Sequence, residues 1–165
     1  LLVVAFLWAR SRSDLQGVAA ALWAAVGMGI AIALNQLIVH AADEPRPFAS
    51  LPNVLLLVHH ASDPGFTSDH SVMAGAVAAG LFFVRRVLGW ITTAAAVLIA
   101  FARVYVGVHF PQDVLAGLAL GAVVVLVGWL LVRALLIRVL YAVVRSPMRW
   151  AVAGRGRLSL PHAEA

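Results

Sequence analysis

The chain is 165 residues long, 63% hydrophobic and 12% charged, with a mean hydropathy of +0.98. Soluble domains carry about 25% charged residues, so this composition excludes a disordered chain and argues against a soluble domain. The absence of cysteine excludes a disulfide scaffold and any zinc site built on thiolates. The net charge of +5 comes from twelve arginines and no lysine. Most of them flank apolar runs instead of gathering on one polar face, which argues against a nucleic-acid partner. An integral helical membrane protein is left, and at about 20 apolar residues per span the length holds roughly four or five spans.

In chain order, the first apolar run is Leu1 to Trp8, closed by Arg10-Ser11-Arg12. It is too short to span, and it lacks the charged start and small-residue cleavage site of a signal peptide. It reads as the tail of a truncated helix, with further spans expected ahead of it. From Leu15 to about Ala42 an Ala/Val/Ile/Leu-rich stretch is long enough to cross a bilayer. Asp43 to Asp69 is the longest polar stretch, holding four Pro, four acidic residues, the pair His59-His60 and Arg46. A second span is predicted from His70 to Val84, where Arg85-Arg86 ends it, and a third from about Leu88 to Val108. A break follows at His109-Phe110-Pro111-Gln112. The last apolar run, Asp113 to about Val144, exceeds a hydrocarbon core of about 30 Å at about 1.5 Å per residue. Its Arg133–Arg138 end is therefore predicted to project from the membrane. Pro147 and two glycines close it, and residues 145–165 form a basic tail with Arg145, Arg149, Arg155 and Arg157. Residues 1–165 thus read as a single membrane-embedded domain, an all-α polytopic bundle of transmembrane helices.

The arginines set the topology. Arg10, Arg12, Arg85, Arg86 and the C-terminal group fall at one end of the bundle, which the positive-inside rule makes cytoplasmic. The segments around 43–69 and 109–112 fall at the other end. Only Arg46 and Arg103 lie near that outer face, so they require a different explanation. Charges at span ends are costly unless they are paired or functional. Ser68, Asp69 and His70 open the second span at the same face, and His109 and Asp113 bracket the turn into the last one. Two Arg and two His brought together make an anion site with acid–base capability.

The chemistry suits a phosphate. Arg presents a rigid fork of donors that matches phosphate oxygens, and a helix N-terminus adds free N–H groups and a positive dipole. Ser68 is placed to cap the second span. In phosphoryl transfer, positioning and charge neutralisation do most of the work. Two imidazoles can then divide the labour, one attacking phosphorus and the other protonating the leaving oxygen. Pro111 suits the first position of a helix, which puts Asp113 in its first turn, able to accept from His109 Nδ1. That would leave Nε2 free to attack, so His109 is assigned as nucleophile and His70 as general acid.

These residues make the chain resemble the type 2 phosphatidic acid phosphatase superfamily of membrane lipid phosphatases. The family's motifs are Lys-x6-Arg-Pro, Pro-Ser-Gly-His and Ser-Arg-x5-His-x3-Asp. Here they stand as Arg46-Pro47, Thr67-Ser68-Asp69-His70, and Ala102-Arg103 followed by His109 and Asp113 with spacing intact. The match covers about residues 15–135. The resemblance implies a metal-independent and cofactor-free route through a phosphohistidine. It implies that Arg46, Ser68, Asp69 and Arg103 surround the phosphate, His109 attacks, Asp113 orients it and His70 protonates the leaving group. It also implies a bundle of six transmembrane helices, of which this chain would hold the last four. The departures are Val39 in place of the family Lys, with His40 turned about 100° away, and Thr67, Asp69 and Ala102 in place of Pro, Gly and Ser. Ser-Asp-His together with Glu44-Pro45-Arg46-Pro47-Phe48 resembles the bacterial branch acting on undecaprenyl pyrophosphate. A bacterial inner membrane, with the site facing the periplasm or exterior, is the corresponding location.

Singly, each residue has a plainer use. An Arg at a span end snorkels, Asp113 and Asp69 suit a helix dipole, and the five Trp residues read as interface or packing aromatics. Gly117 and Gly121 form a small-xxx-small pair for helix contact. The joint spacing favours the phosphatase. The alternatives are a phosphatase or phosphotransferase acting on phosphatidic acid or phosphatidylglycerol phosphate, and a non-catalytic protein that binds lipid phosphates. A metal-dependent hydrolase on His59, His60 and Asp63 is opposed by the divergent directions of adjacent side chains and the lack of a further ligand at metal spacing.

Overall fold

A computed structural model describes residues 1–54, 57 and 64–154. The candidate metal residues His59, His60 and Asp63, and the tail arginines Arg155 and Arg157, lie outside the described residues. All regular structure within them is helical: α1 (Leu2–Ser11), α2 (Leu15–Ala42), the single turn α3 (Pro47–Ser50), α4 (Asp69–Val84), α5 (Arg86–Tyr105) and α6 (Pro111–Val144), followed by a 3₁₀ turn at Pro147–Ala151. Local chemistry sets the boundaries. Asp14 caps α2 by accepting from Gly17 N at 3.0 Å, and Asp43 ends it in the left-handed region at φ 45°. Pro47 and Pro111 open α3 and α6, where a missing N–H costs nothing.

Three of these helices, α2, α5 and α6, are long and apolar enough to cross a membrane. The second expected span, His70 to Val84, is α4, only 16 residues long. That is about 24 Å, short of a hydrocarbon core of about 30 Å. It can be short because α4 is the centre of the bundle. It packs against α2, α5 and α6 and buries both of its glycines and most of its alanines. The apolar flanks of α5 and α6, by contrast, are broadly exposed, as lipid-facing surfaces are. The chain is a multi-pass membrane protein with an all-α fold.

Small residues let the helices approach. At the α4–α6 crossing a Cβ on Gly121 would stand 2.0 Å from the Val72 carbonyl oxygen, and one on Gly117 would stand 2.8 Å from that of Ser68. The Gly117–Gly121 pair is thus the seam that holds α6 against the start of α4. On the other side of α6, Trp23 of α2 donates from Nε1 to the Val125 carbonyl at 2.9 Å. Trp129 stacks on Phe83 with ring centroids 5.2 Å apart. Trp90 and Trp150 are exposed, so the aromatics divide between packing and surface. Gly121→Ala is expected to lower stability by about 1–3 kcal/mol, as overpacking does, because backbone and not a flexible side chain blocks the new methyl. Thermal unfolding in detergent measures it, and an unchanged midpoint would contradict this packing.

Chain reversals put the α2–α4 connection and the α5–α6 turn at one end of the bundle. The α1–α2 turn, the Arg85-Arg86 junction and the end of α6 lie at the other. Arg12 and Arg85 both sit over the Trp8 ring at that second end, at 5.0 and 5.4 Å.

Candidate active site

The first end of the bundle gathers the motif residues. Arg46 precedes α3 and is 6% exposed. Its Nη1 donates to the Val108 carbonyl at 3.1 Å and approaches His109 Nε2 at 3.2 Å, while Nη2 donates to the Pro64 carbonyl at 3.3 Å. His109, in the turn between α5 and α6, is 4% exposed. Its Nδ1 lies 3.0 Å from the Gly65 carbonyl oxygen. A carbonyl can only accept, so in the neutral ring Nδ1 carries the proton and Nε2 presents its lone pair towards Arg46.

Asp113 is almost fully buried, and its Oδ2 accepts from the Phe110 N–H at 2.8 Å, capping α6. The same oxygen is 3.6 Å from His109 Nδ1, beyond hydrogen-bond length. The expected Asp113–His109 hydrogen bond is therefore replaced. The Gly65 carbonyl takes the Nδ1 proton, and the Asp113 carboxylate stands behind it as a nearby negative charge. Gly65 packs closely against Arg46, since a Cβ there would press on Arg46 Cγ at 3.0 Å. Its N–H is held by the Glu44 carbonyl at 2.7 Å, so the strand of chain bearing Arg46 and the loop contacting His109 are tied together.

Ser68 is the N-cap residue of α4, but its hydroxyl makes no capping bond. The residue is fully buried, and among the described residues its Oγ has no hydrogen-bond partner. Its main-chain N–H donates to the Asp113 carbonyl at 3.3 Å, which puts the start of α4 beside the start of α6. Two helix N-termini and a buried hydroxyl donor thus adjoin Arg46 and His109. Arg103, near the end of α5, is partly buried and close enough to Arg46 for their charges to interact. An anion entering here would be attracted by both guanidinium charges.

His70 and Asp69 are placed differently. His70 is exposed in the first turn of α4. It lines an apolar cavity of about 270 Å³ between α4 and α5, with Met73, Val77, Thr92 and Ile99. The Asp69 carboxylate accepts from Asn35 Nδ2 at 2.6 Å and from Gln36 Nε2 at 3.0 and 3.2 Å. Asp69, expected beside the phosphate, is instead held by these contacts to α2. Val39, where the family motif has Lys, is buried. His40 is exposed and engages the Gln36 carbonyl of its own helix at 2.6 Å, so it supplies no substitute.

A family model described as the PAP2 superfamily matches residues 20–137. The chain belongs to the PAP2 superfamily. Among curated relatives it is 39% identical over 106 residues to "Undecaprenyl-diphosphatase BcrC" of Bacillus subtilis, covering 64% of this chain and 53% of that protein. It is 35% identical over 124 residues to "Putative undecaprenyl-diphosphatase YbjG" of Escherichia coli, covering 74% of this chain and 60% of that one. It is 40% identical over 85 residues to a "Lipid A 1-phosphatase" of Rhizobium etli, covering 50% and 32%. No solved structure matches. The chain spans about half the length of the curated relatives it matches first. These likenesses agree with the undecaprenyl pyrophosphate branch to which the Ser68-Asp69-His70 variant of the PAP2 motif points.

Five residues around this PAP2 site carry no motif in the sequence: Asn35, Gln36, Gly65 and the carbonyls of Pro64 and Val108 that hold Arg46. Asn35-Gln36 did carry a signal, a polar pair inside an apolar span. Gly65 and Val108 act through their backbones, which leave no trace in side-chain chemistry.

Proposed function

We propose that this protein is a membrane lipid phosphatase that converts undecaprenyl pyrophosphate to undecaprenyl phosphate through a phosphohistidine on His109. The observation that carries the reading is the buried His109 imidazole, with Nδ1 held by the Gly65 carbonyl and Nε2 facing Arg46. In this reading Arg46, Arg103, the Ser68 hydroxyl and the first amides of α4 bind the terminal phosphoryl group. As its oxygens take the Arg46 donors, the Nε2 lone pair is released to attack phosphorus. The N–P bond forms as the bond to the bridging oxygen breaks, and His70 delivers a proton to that oxygen. Water then attacks phosphorus and gives a proton back to His70, the N–P bond breaks with its electron pair returning to Nε2, and inorganic phosphate leaves. Asp113 stabilises the charge that His109 acquires.

The relatives named as undecaprenyl-diphosphatases support the substrate class. The apolar cavity beside His70 supports a lipid leaving group. The arginines at the far end support an orientation with that end in the cytoplasm and the site facing the periplasm or exterior of a bacterial inner membrane.

The test is phosphate release in detergent, with a chelator present, from undecaprenyl pyrophosphate, phosphatidic acid and phosphatidylglycerol phosphate in parallel. Chelator-resistant release, fastest from the first, is the expected result. A preference for either glycerolipid would move the substrate and keep the chemistry. Phosphate binding without release from any of the three would leave the non-catalytic reading.

A further inference from the structure

We propose that Asn35 and Gln36 of α2 are positioning residues that hold the Thr67–Asp69 segment, and through it the start of α4, in register with His109. This rests on the reading of the cluster as a phosphoryl-transfer site. Asn35 is fully buried. Its amide nitrogen donates to the Asp69 carboxylate at 2.6 Å and approaches the Thr67 carbonyl at 3.3 Å. Its carbonyl oxygen accepts from the Thr67 hydroxyl. Gln36 adds donations to both Asp69 oxygens at 3.0 and 3.2 Å. Residues 67 and 69 are thus both fastened to α2.

Between them stands Ser68, fastened on its other side to α6 through its N–H on the Asp113 carbonyl at 3.3 Å. The segment is therefore gripped from two helices. It carries the buried Ser68 hydroxyl and leads directly into His70. A rigid N-terminus on α4 is what phosphate positioning needs, since small misplacements of reacting groups cost rate steeply.

Charge gives a second reason for the clamp. A carboxylate next to a phosphate site would oppose anion binding. Two side-chain amides occupy the Asp69 oxygens and direct them at α2, so the segment gains an anchor with its negative charge turned aside. Asn35 lies one helical turn before Val39, and both are buried on the same face of α2. Where the family motif places a cation on this face, this chain places an apolar residue and, one turn further in, an amide clamp. The contribution of α2 to the site is positional.

The experiment compares Gln36→Leu, Asn35→Asp, Asp69→Asn and the swapped pair Asn35→Asp/Asp69→Asn in the full protein. It uses undecaprenyl pyrophosphate in detergent, with thermal midpoints recorded alongside. Gln36→Leu introduces no buried charge and is the variant that tests the clamp if the Asn35 variant fails to fold. The expected result is a fall in kcat of about 10-fold for Gln36→Leu and about 100-fold for each clamp single, in the range seen when supporting groups are lost. KM should stay within about 3-fold, because Arg46 and Arg103 remain, and the swap should recover most of the lost kcat. Variants that keep wild-type kcat while the wild type turns over would overturn the clamp alone. So would a swap whose loss is the product of the two singles. A wild type that releases no phosphate from any lipid would overturn the functional reading and this proposal with it.

Discussion

Replacing His109 with alanine is expected to lower phosphate release by at least about 10³-fold, the scale on which removal of a nucleophile acts. The expectation follows from how completely the ring is committed. It is buried at 4% exposure. Its Nδ1 proton is taken up by the Gly65 carbonyl at 3.0 Å, so the neutral ring has only Nε2 to offer a substrate. No rotation is needed to present it, and the carboxylate of Asp113 at 3.6 Å favours the positive charge that appears when Nε2 forms a bond to phosphorus. Alanine also strips partners from the Gly65 carbonyl and from Arg46, so lost activity alone would not separate chemistry from structure. His109→Gln retains an amide that can donate towards Gly65. Equal losses in the two variants would assign the effect to the attacking nitrogen. Brief incubation with substrate labelled in its terminal phosphate should leave an acid-labile, alkali-stable label on the wild-type chain and none on either variant. Label retained by His109→Gln would sink the nucleophile assignment.

Much of this site was legible in the sequence because it depends on side chains whose chemistry is expensive inside a membrane. Arg46 and Arg103 stood out by breaking the orientation rule, and His109 with Asp113 stood out by spacing around a helix-starting proline. Helix α2 was legible to its ends because a long apolar run specifies it directly, while its Asp14 cap came from the structure. What escaped were relations that depend on where backbones meet. The partner of His109 Nδ1 is the carbonyl of a residue 44 positions away, and no pattern in side chains announces it. In the sequence, Asp69 is placed beside the phosphate only by its position in the Ser68-Asp69-His70 motif. One residue along a helix start is about 100° of rotation, enough to send Ser68 inward and Asp69 to α2. The second span is legible in its bounds, His70 to Val84 against the observed Asp69–Val84, but not in its place at the centre of the bundle. A helix wrapped by three others has no need to match the thickness of lipid.

Arg46→Ala is expected to lower kcat/KM by about 10³-fold, and Arg46→Lys by about 10²-fold, in line with the loss of preorganised donors to a developing charge. The guanidinium is held before substrate arrives. Nη1 and Nη2 donate to the Val108 and Pro64 carbonyls at 3.1 and 3.3 Å, and Gly65 packs against its stem. The fork is therefore fixed next to Nε2 of His109 at 3.2 Å, where a phosphoryl group must lie to be attacked. Lysine keeps the charge but has one nitrogen, so it cannot hold both carbonyls and also meet two phosphate oxygens. Anion binding gives a readout separate from turnover. An oxyanion held by Arg46 and Arg103 binds the folded chain alone, so inorganic vanadate or phosphate should raise the thermal midpoint of the wild type. In Arg46→Ala that rise should vanish, even if the unliganded variant unfolds near the wild-type temperature. A variant that loses activity yet keeps the full anion-dependent rise would show that Arg46 organises the loop around Gly65 without holding the phosphate. The anion site would then centre on Arg103 and the N-terminus of α4.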